Sequence, residues 1–128
     1  MGHSPAGSST NQVLHYAQCM ESGKFRQVDY GIAKNLWVYG SLSPPSYKIE
    51  KTCAPVFMFM GKNDNFSSLK DCATLWGSIP EEYQGGQYII PHKKFNHLDF
   101  LFAINVKTLV YEPLCRQMEK FSGFHCTF

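Results

Sequence analysis

The chain has 128 residues, of which 44% are hydrophobic, 15% aromatic and 17% charged, and twelve basic against ten acidic side chains leave a formal charge of +2. This is the composition of an ordinary globular chain of at most one domain, and ten Phe, seven Tyr and two Trp can fill a sizeable core, which excludes disordered, collagen-like and low-complexity architectures. The near-neutral balance argues against nucleic acid as a partner, because the nearest thing to a basic stripe, Lys93-Lys94 beside Phe95, reads as a solvated loop.

Taken from the N-terminus, MGHSPAGSSTNQ has neither the basic leader nor the apolar stretch of a secretory signal, so no address is expected from it. Ser9 is placed to cap a helix over about 10–21, with Val13, Tyr16, Ala17 and Met20 on one face and Ser22-Gly23 as its stop. That stripe is expected to be a packing face. A second helix is expected around 32–38, followed by a loop holding Pro44-Pro45.

The pattern becomes regular beyond residue 50. Val56-Phe-Met-Phe-Met60, between Pro55 and Gly61, is the longest apolar run; it is far short of the roughly 18 residues of a membrane span but suits a strand buried on both faces of a parallel sheet. Ser68 with Asp71 is a capping-box pattern opening a helix whose face is Leu69, Cys72, Ala73 and Trp76, ending before Gly77. A short strand over 87–90 follows the turn-rich EEYQGG. The last helical stretch is expected over about 98–121, with Leu101, Ile104, Leu109, Leu114 and Met118 apolar and Pro113 kinking or interrupting it. Strand, helix, strand, helix in this order predicts a parallel pair in an α/β sheet.

Parallel strands open their following loops on one carboxyl edge, where α/β proteins place their ligands. Asp64 lies just past the first strand and His97 just past the second. An Asp that accepts the Nδ1 proton of a His fixes its tautomer and leaves Nε2 free as a general base. The missing third member of a hydrolytic triad would be a nucleophile. Ser4, in Gly2-His-Ser-Pro-Ala-Gly7, fits a nucleophile elbow poorly: the second glycine is one residue late, no strand precedes it, and Pro5 lacks the N–H an oxyanion hole requires. No other serine has elbow spacing.

Competing chemistries are weaker. His92, His97 and Asp99 lack a fourth ligand for a metal site, and His125-Cys126 offers less still. Five cysteines, Cys19, Cys53, Cys72, Cys115 and Cys126, are widely spaced without a CxxC pair; free thiols with at most one or two bridges are expected, with Cys53 and Cys72 as core residues rather than nucleophiles. Nothing in the pattern asks for a cofactor. Asn65-Phe-Ser67 has the form of a glycosylation sequon, expected to be unused beside Asp64.

Several segments resemble the acid lipases, the family of gastric and lysosomal acid lipase, in order along nearly the whole chain. His3-Ser-Pro-Ala-Gly-Ser8 with Leu14-His-Tyr16 and Gln18 is similar to that family's H-x-P-A-G-T-S…H-W-x-Q segment. Phe25-Arg-Gln-Val-Asp-Tyr-Gly31 and Tyr39-Gly40…Pro44-Pro45-x-Tyr47 follow. The most specific matches are Gly61-Lys-Asn-Asp64, similar to G-G-N-D around the family's catalytic acid, and Asn96-His-Leu-Asp-Phe100, identical to N-H-L-D-F around its catalytic His.

The resemblance implies an α/β-hydrolase fold, with residues 1–50 as the last part of a cap domain and 51–128 as the C-terminal part of the catalytic core. It implies Asp64 as triad acid, His97 as triad base and Asp99 as a structural partner, with the nucleophilic Ser upstream. It also implies lipid esters, acylglycerols or sterol esters, as substrates of the full-length enzyme, contact with a lipid–water interface, and a secreted or lysosomal setting. The chain departs from the family pattern at Lys62 for a glycine, Ser68 for an acidic residue, Asn105 for an Asp, and in a few extra residues near EEYQGG. Lys62 puts the turn geometry before Asp64 in question. A non-catalytic lipid- or partner-binding remnant is the alternative reading.

Overall fold

A computed structural model describes residues 7–122, which leaves Ser4, His125 and Cys126 outside the described residues. The chain divides into two compact units, Met1–Lys48 and Ile49–Phe128.

In the first unit, α1 spans Thr10–Ser22 and ends as expected at Gly23, whose φ of 63° is the left-handed conformation that favours glycine at a helix stop. Ser9 takes the N-cap position without a side-chain cap bond. The expected packing face is not the one that packs: Val13 and Met20 are exposed, as are Tyr16 and Ala17. The opposite side does the work, with His15 Nε2 2.7 Å from the Arg26 carbonyl and the Gln18 side chain gripping both the N–H and the carbonyl of Asp29. Helix α2 covers Ile32–Tyr39. Its Asn35 is wholly buried, accepting from the Tyr30 N–H and donating to Asp29 Oδ1 and the Leu42 carbonyl, so this polar residue is the unit's internal tie.

The second unit is α/β. Strand β1, Val56–Met60, pairs in parallel with β2, Gln84–Ile89, in a two-stranded sheet. Only Met60 of β1 is buried and the rest is half-buried, in contrast to the expectation of burial on both faces, because the described residues supply β1 with one neighbouring strand and not two. β2 begins three residues earlier than its apolar content suggests. Val56 pairs with Gln84 but Phe57 with Gly86, so Gly85 is the extra residue of a bulge. The Phe57 ring lies where a Cβ of Gly85 would stand, 2.5 Å from its Cζ, and this close approach lets EEYQGG run into a strand.

Helix α3, Leu69–Ser78, joins the strands. Ser68 Oγ accepts from the Asp71 N–H at 3.1 Å and donates to Asp71 Oδ2, so the cap is the one the spacing predicts, although the helix runs past Gly77. Gln84 closes its far end by donating to the Trp76 and Ile79 carbonyls. Cys72 is buried, but Leu69 and Ala73 are exposed and the inward side is completed by half-buried Leu75 and Trp76.

The helical stretch expected over 98–121 is three pieces: α4, Asp99–Phe102, a π turn over Lys107–Tyr111, and α5, Glu112–Ser122. The chain leaves the helix at 103–106, and at Pro113 the helix is widened rather than broken. Pro113 would clash with the carbonyl four residues back in a regular helix, and the widened turn, closed by the Glu112 N–H on the Lys107 carbonyl, accommodates it. Leu101 and Ile104 consequently face outward, while Leu109 packs against the core of Ile90, Phe95 and Val110. Of the described cysteines, Cys72 is buried and Cys53, contrary to expectation, is exposed.

Candidate active site

Both candidate residues stand at the carboxyl edge of the sheet. After Met60 the chain turns at Gly61, and the next loop crosses it so closely that a Cβ on Gly61 would lie 2.8 Å from the Phe95 carbonyl oxygen. That carbonyl accepts from the Asn63 N–H at 3.0 Å, and the Ile90 N–H donates to the Met60 carbonyl. The two loops are thus stitched together directly beneath the site. No described residue other than glycine has a positive φ, so Lys62 occupies ordinary backbone and the turn does not require the glycine that the resemblance leads one to expect there.

Asp64 is 8% exposed. Its Oδ1 accepts from the N–H groups of Phe66 at 2.8 Å and Ser67 at 3.0 Å, an Asx turn that fixes the carboxylate plane. Its Oδ2 lies 3.0 Å from His97 Nδ1. Burial on its own would push this carboxyl up, but the His97 hydrogen bond, the two amides and the charge of His97 outweigh it and hold Asp64 below its ordinary value of 3.8. An ionised carboxylate can only accept, so Nδ1 carries the proton and donates, and Nε2 is the ring nitrogen available to a hydroxyl.

His97 is positioned from both sides by its neighbours. The Asn96 N–H donates to Asp99 Oδ2 at 2.7 Å, while Asn96 Oδ1 accepts from the N–H groups of Leu98 and Asp99. This reciprocal clamp is why N-H-L-D places a histidine on a rigid turn at the start of α4. Asp99 therefore sits beside the site with its carboxylate turned to backbone. Tyr111 Oη donates to the Phe100 carbonyl and ties α4 to the π turn. The His97 side chain remains 57% exposed, and the ring of Phe66 lies against it with centroids 5.2 Å apart.

The structure brings Asp64 and His97 together. Among the described residues no cluster of three His, Cys, Asp or Glu is arranged to hold a metal ion. Phe66 and Ser67, as amide donors, and Phe66, as an aromatic neighbour of the imidazole, were not singled out by sequence. The Asx-turn habit of an Asp could have suggested the amides, whereas no spacing rule announces the ring contact.

No family model matches the chain. Among curated proteins it is 38% identical over 118 residues to Lipase 3 of Drosophila melanogaster, covering 92% of this chain and 29% of that protein. It is 32% identical over 122 residues to gastric triacylglycerol lipase of Rattus norvegicus, with 92% and 29% covered, and 32% identical over 127 residues to a candidate lysosomal acid lipase/cholesteryl ester hydrolase of Crotalus adamanteus, with 96% and 30% covered. The chain spans about three-tenths of the length of these relatives. With similarity of this strength along more than nine-tenths of its sequence, the chain belongs to the acid lipase family.

Proposed function

We propose that this chain is the C-terminal segment of a serine ester hydrolase of α/β-hydrolase fold, acting on acylglycerols or sterol esters, and that it supplies the acid and the base of a Ser-Asp-His triad. Residues 1–50 are then the end of the cap and 51–128 the end of the catalytic core. The observation that carries the reading is the 3.0 Å contact of Asp64 Oδ2 with His97 Nδ1 at the carboxyl edge of a parallel sheet. The names of the relatives, a gastric triacylglycerol lipase and a candidate lysosomal acid lipase/cholesteryl ester hydrolase, support the substrate class and a secreted or lysosomal setting.

In the mechanism, a Ser outside these 128 residues attacks the ester carbonyl while His97 Nε2 takes its proton. His97 then returns that proton to the departing alcohol, and the acyl-serine is released by water activated at the same nitrogen. Asp64 holds the tautomer and stabilises the imidazolium. The chain alone has no route to an acyl-enzyme and is inactive in this reading.

The test places residues 7–122 in the matching segment of Drosophila Lipase 3. Ester hydrolysis by the hybrid, reduced by three or more orders of magnitude in His97→Ala, is the expected result. Full activity in His97→Ala overturns the reading, as does His97-dependent hydrolysis by the isolated 128-residue chain, which would disprove its dependence on an outside serine.

A further inference from the structure

We propose that Phe66 is a positioning residue for His97: its ring holds the imidazole in the rotamer that meets Asp64 and presents an aromatic surface to the imidazolium. The inference rests on the reading of His97 as general base and adds a part to that site.

Phe66 touches the pair twice. Its N–H donates to Asp64 Oδ1 at 2.8 Å, and its ring lies 5.2 Å from the imidazole, centroid to centroid, at an interplanar angle of 55°. One residue therefore sets the plane of the carboxylate with its backbone and borders the imidazole with its side chain. The ring is 63% exposed and lies outside the core cluster of Ile90, Phe95 and Val110, so core filling does not account for its placement.

The two partners differ in how firmly they are held. Asp64 is buried and fastened by two amides, and its rotamer is fixed without help. His97 is more than half exposed, and a single hydrogen bond to Oδ2 competes with water-facing rotamers in which Nδ1 is equally well solvated. A bulky flat group beside the imidazole removes part of that freedom. An aromatic one adds an attraction for a cation within about 6 Å of its face, which acts when His97 holds the proton of the nucleophile.

The experiment follows the His97 Nδ1 proton by NMR in the 128-residue chain and in Phe66→Ala, Phe66→Leu and Phe66→Tyr. Every variant keeps an N–H at position 66, so the amide signals of residues 66 and 67 report separately whether the Asp64 turn survives. Expected is a two- to fivefold faster solvent exchange of the Nδ1 proton in Ala and Leu, and parent-like exchange in Tyr. Exchange in Ala equal to the parent, or failure of Tyr to restore it, overturns the proposal. Should Ala lose the turn amides, Leu decides: faster exchange supports the aromatic role and parent-like exchange refutes it. In the Lipase 3 hybrid, Phe66→Ala is expected to lower kcat two- to fivefold at unchanged KM, with recovery in Phe66→Tyr. His97-independent hydrolysis in that hybrid sinks the triad reading, whereas His97-dependent hydrolysis with parent kcat in Phe66→Ala sinks only the role of Phe66.

Discussion

A Cβ on Gly61 would stand 2.8 Å from the carbonyl oxygen of Phe95, so the end of β1 and the loop that carries His97 approach as closely as two backbones with no side chain between them. The same carbonyl accepts the Asn63 N–H, one residue before Asp64. Gly61 has no positive φ, and its role is therefore steric rather than conformational.

Gly61→Ala should cost about 1–3 kcal/mol of stability, because the clashing atom is backbone that can yield only by moving the loop. The same movement should draw His97 away from Asp64. Urea unfolding of the variant measures the first effect and the His97 Nδ1 proton signal the second; an alanine variant with parent stability and an unchanged signal would show that the two loops are not so tightly stitched.

Asp64→Asn should reverse the tautomer of His97. The amide oxygen of Asn can satisfy the Phe66 and Ser67 N–H groups, which leaves an NH2 facing Nδ1 where a carboxylate oxygen was. Nδ1 must then accept, and the ring proton moves to Nε2, the nitrogen required as base. Nitrogen-15 shifts of the imidazole read this directly, and an unchanged tautomer would mean that Asp64 does not set it.

Acid should weaken the second unit through Asp64. Its carboxyl is held below the ordinary 3.8 in the folded chain despite burial, owing to the His97 contact and the two amides, so the unfolded chain binds the proton more tightly. The contribution of Asp64 to stability is complete above 3.8 and is lost as pH falls through the lower folded value. Urea midpoints of the parent and of Asp64→Asn, compared from neutrality downwards, should converge in acid. A gap that stays constant with pH would contradict this linkage.

Asn35→Leu should destabilise the first unit by about 1–3 kcal/mol, since it removes the bonds that the wholly buried Asn35 side chain makes to the Tyr30 N–H, Asp29 Oδ1 and the Leu42 carbonyl. Amide exchange should accelerate in α2. Parent-like protection there would show that water reaches and satisfies these groups.

Much of the second unit was legible from local chemistry. Pro55, five apolar residues and Gly61 delimit β1 to the residue, and Ser68 with Asp71 marks the start of α3, because caps and breakers act within a turn of the chain. The outcome for apolar faces was different. Val13, Met20, Leu101 and Ile104 follow helical spacing yet lie exposed, since periodicity identifies a face but burial depends on what another element brings to it. Likewise Gly85 and Gly86 read as a turn until the Phe57 ring occupies the space above them.

By itself the sequence determined the family, through Gly61-Lys-Asn-Asp64 and Asn96-His-Leu-Asp-Phe100, and it set Asp64 and His97 on one edge of a parallel pair, because parallel strands send their following loops the same way. Only the tertiary structure decided that Oδ2 and Nδ1 meet at 3.0 Å and that the ring of Phe66 borders the imidazole. The Asp64–His97 contact joins loops 33 residues apart in the chain, and a distance of that kind is set by the bare backbone of Gly61 against Phe95, not by any local preference of the residues that make the contact.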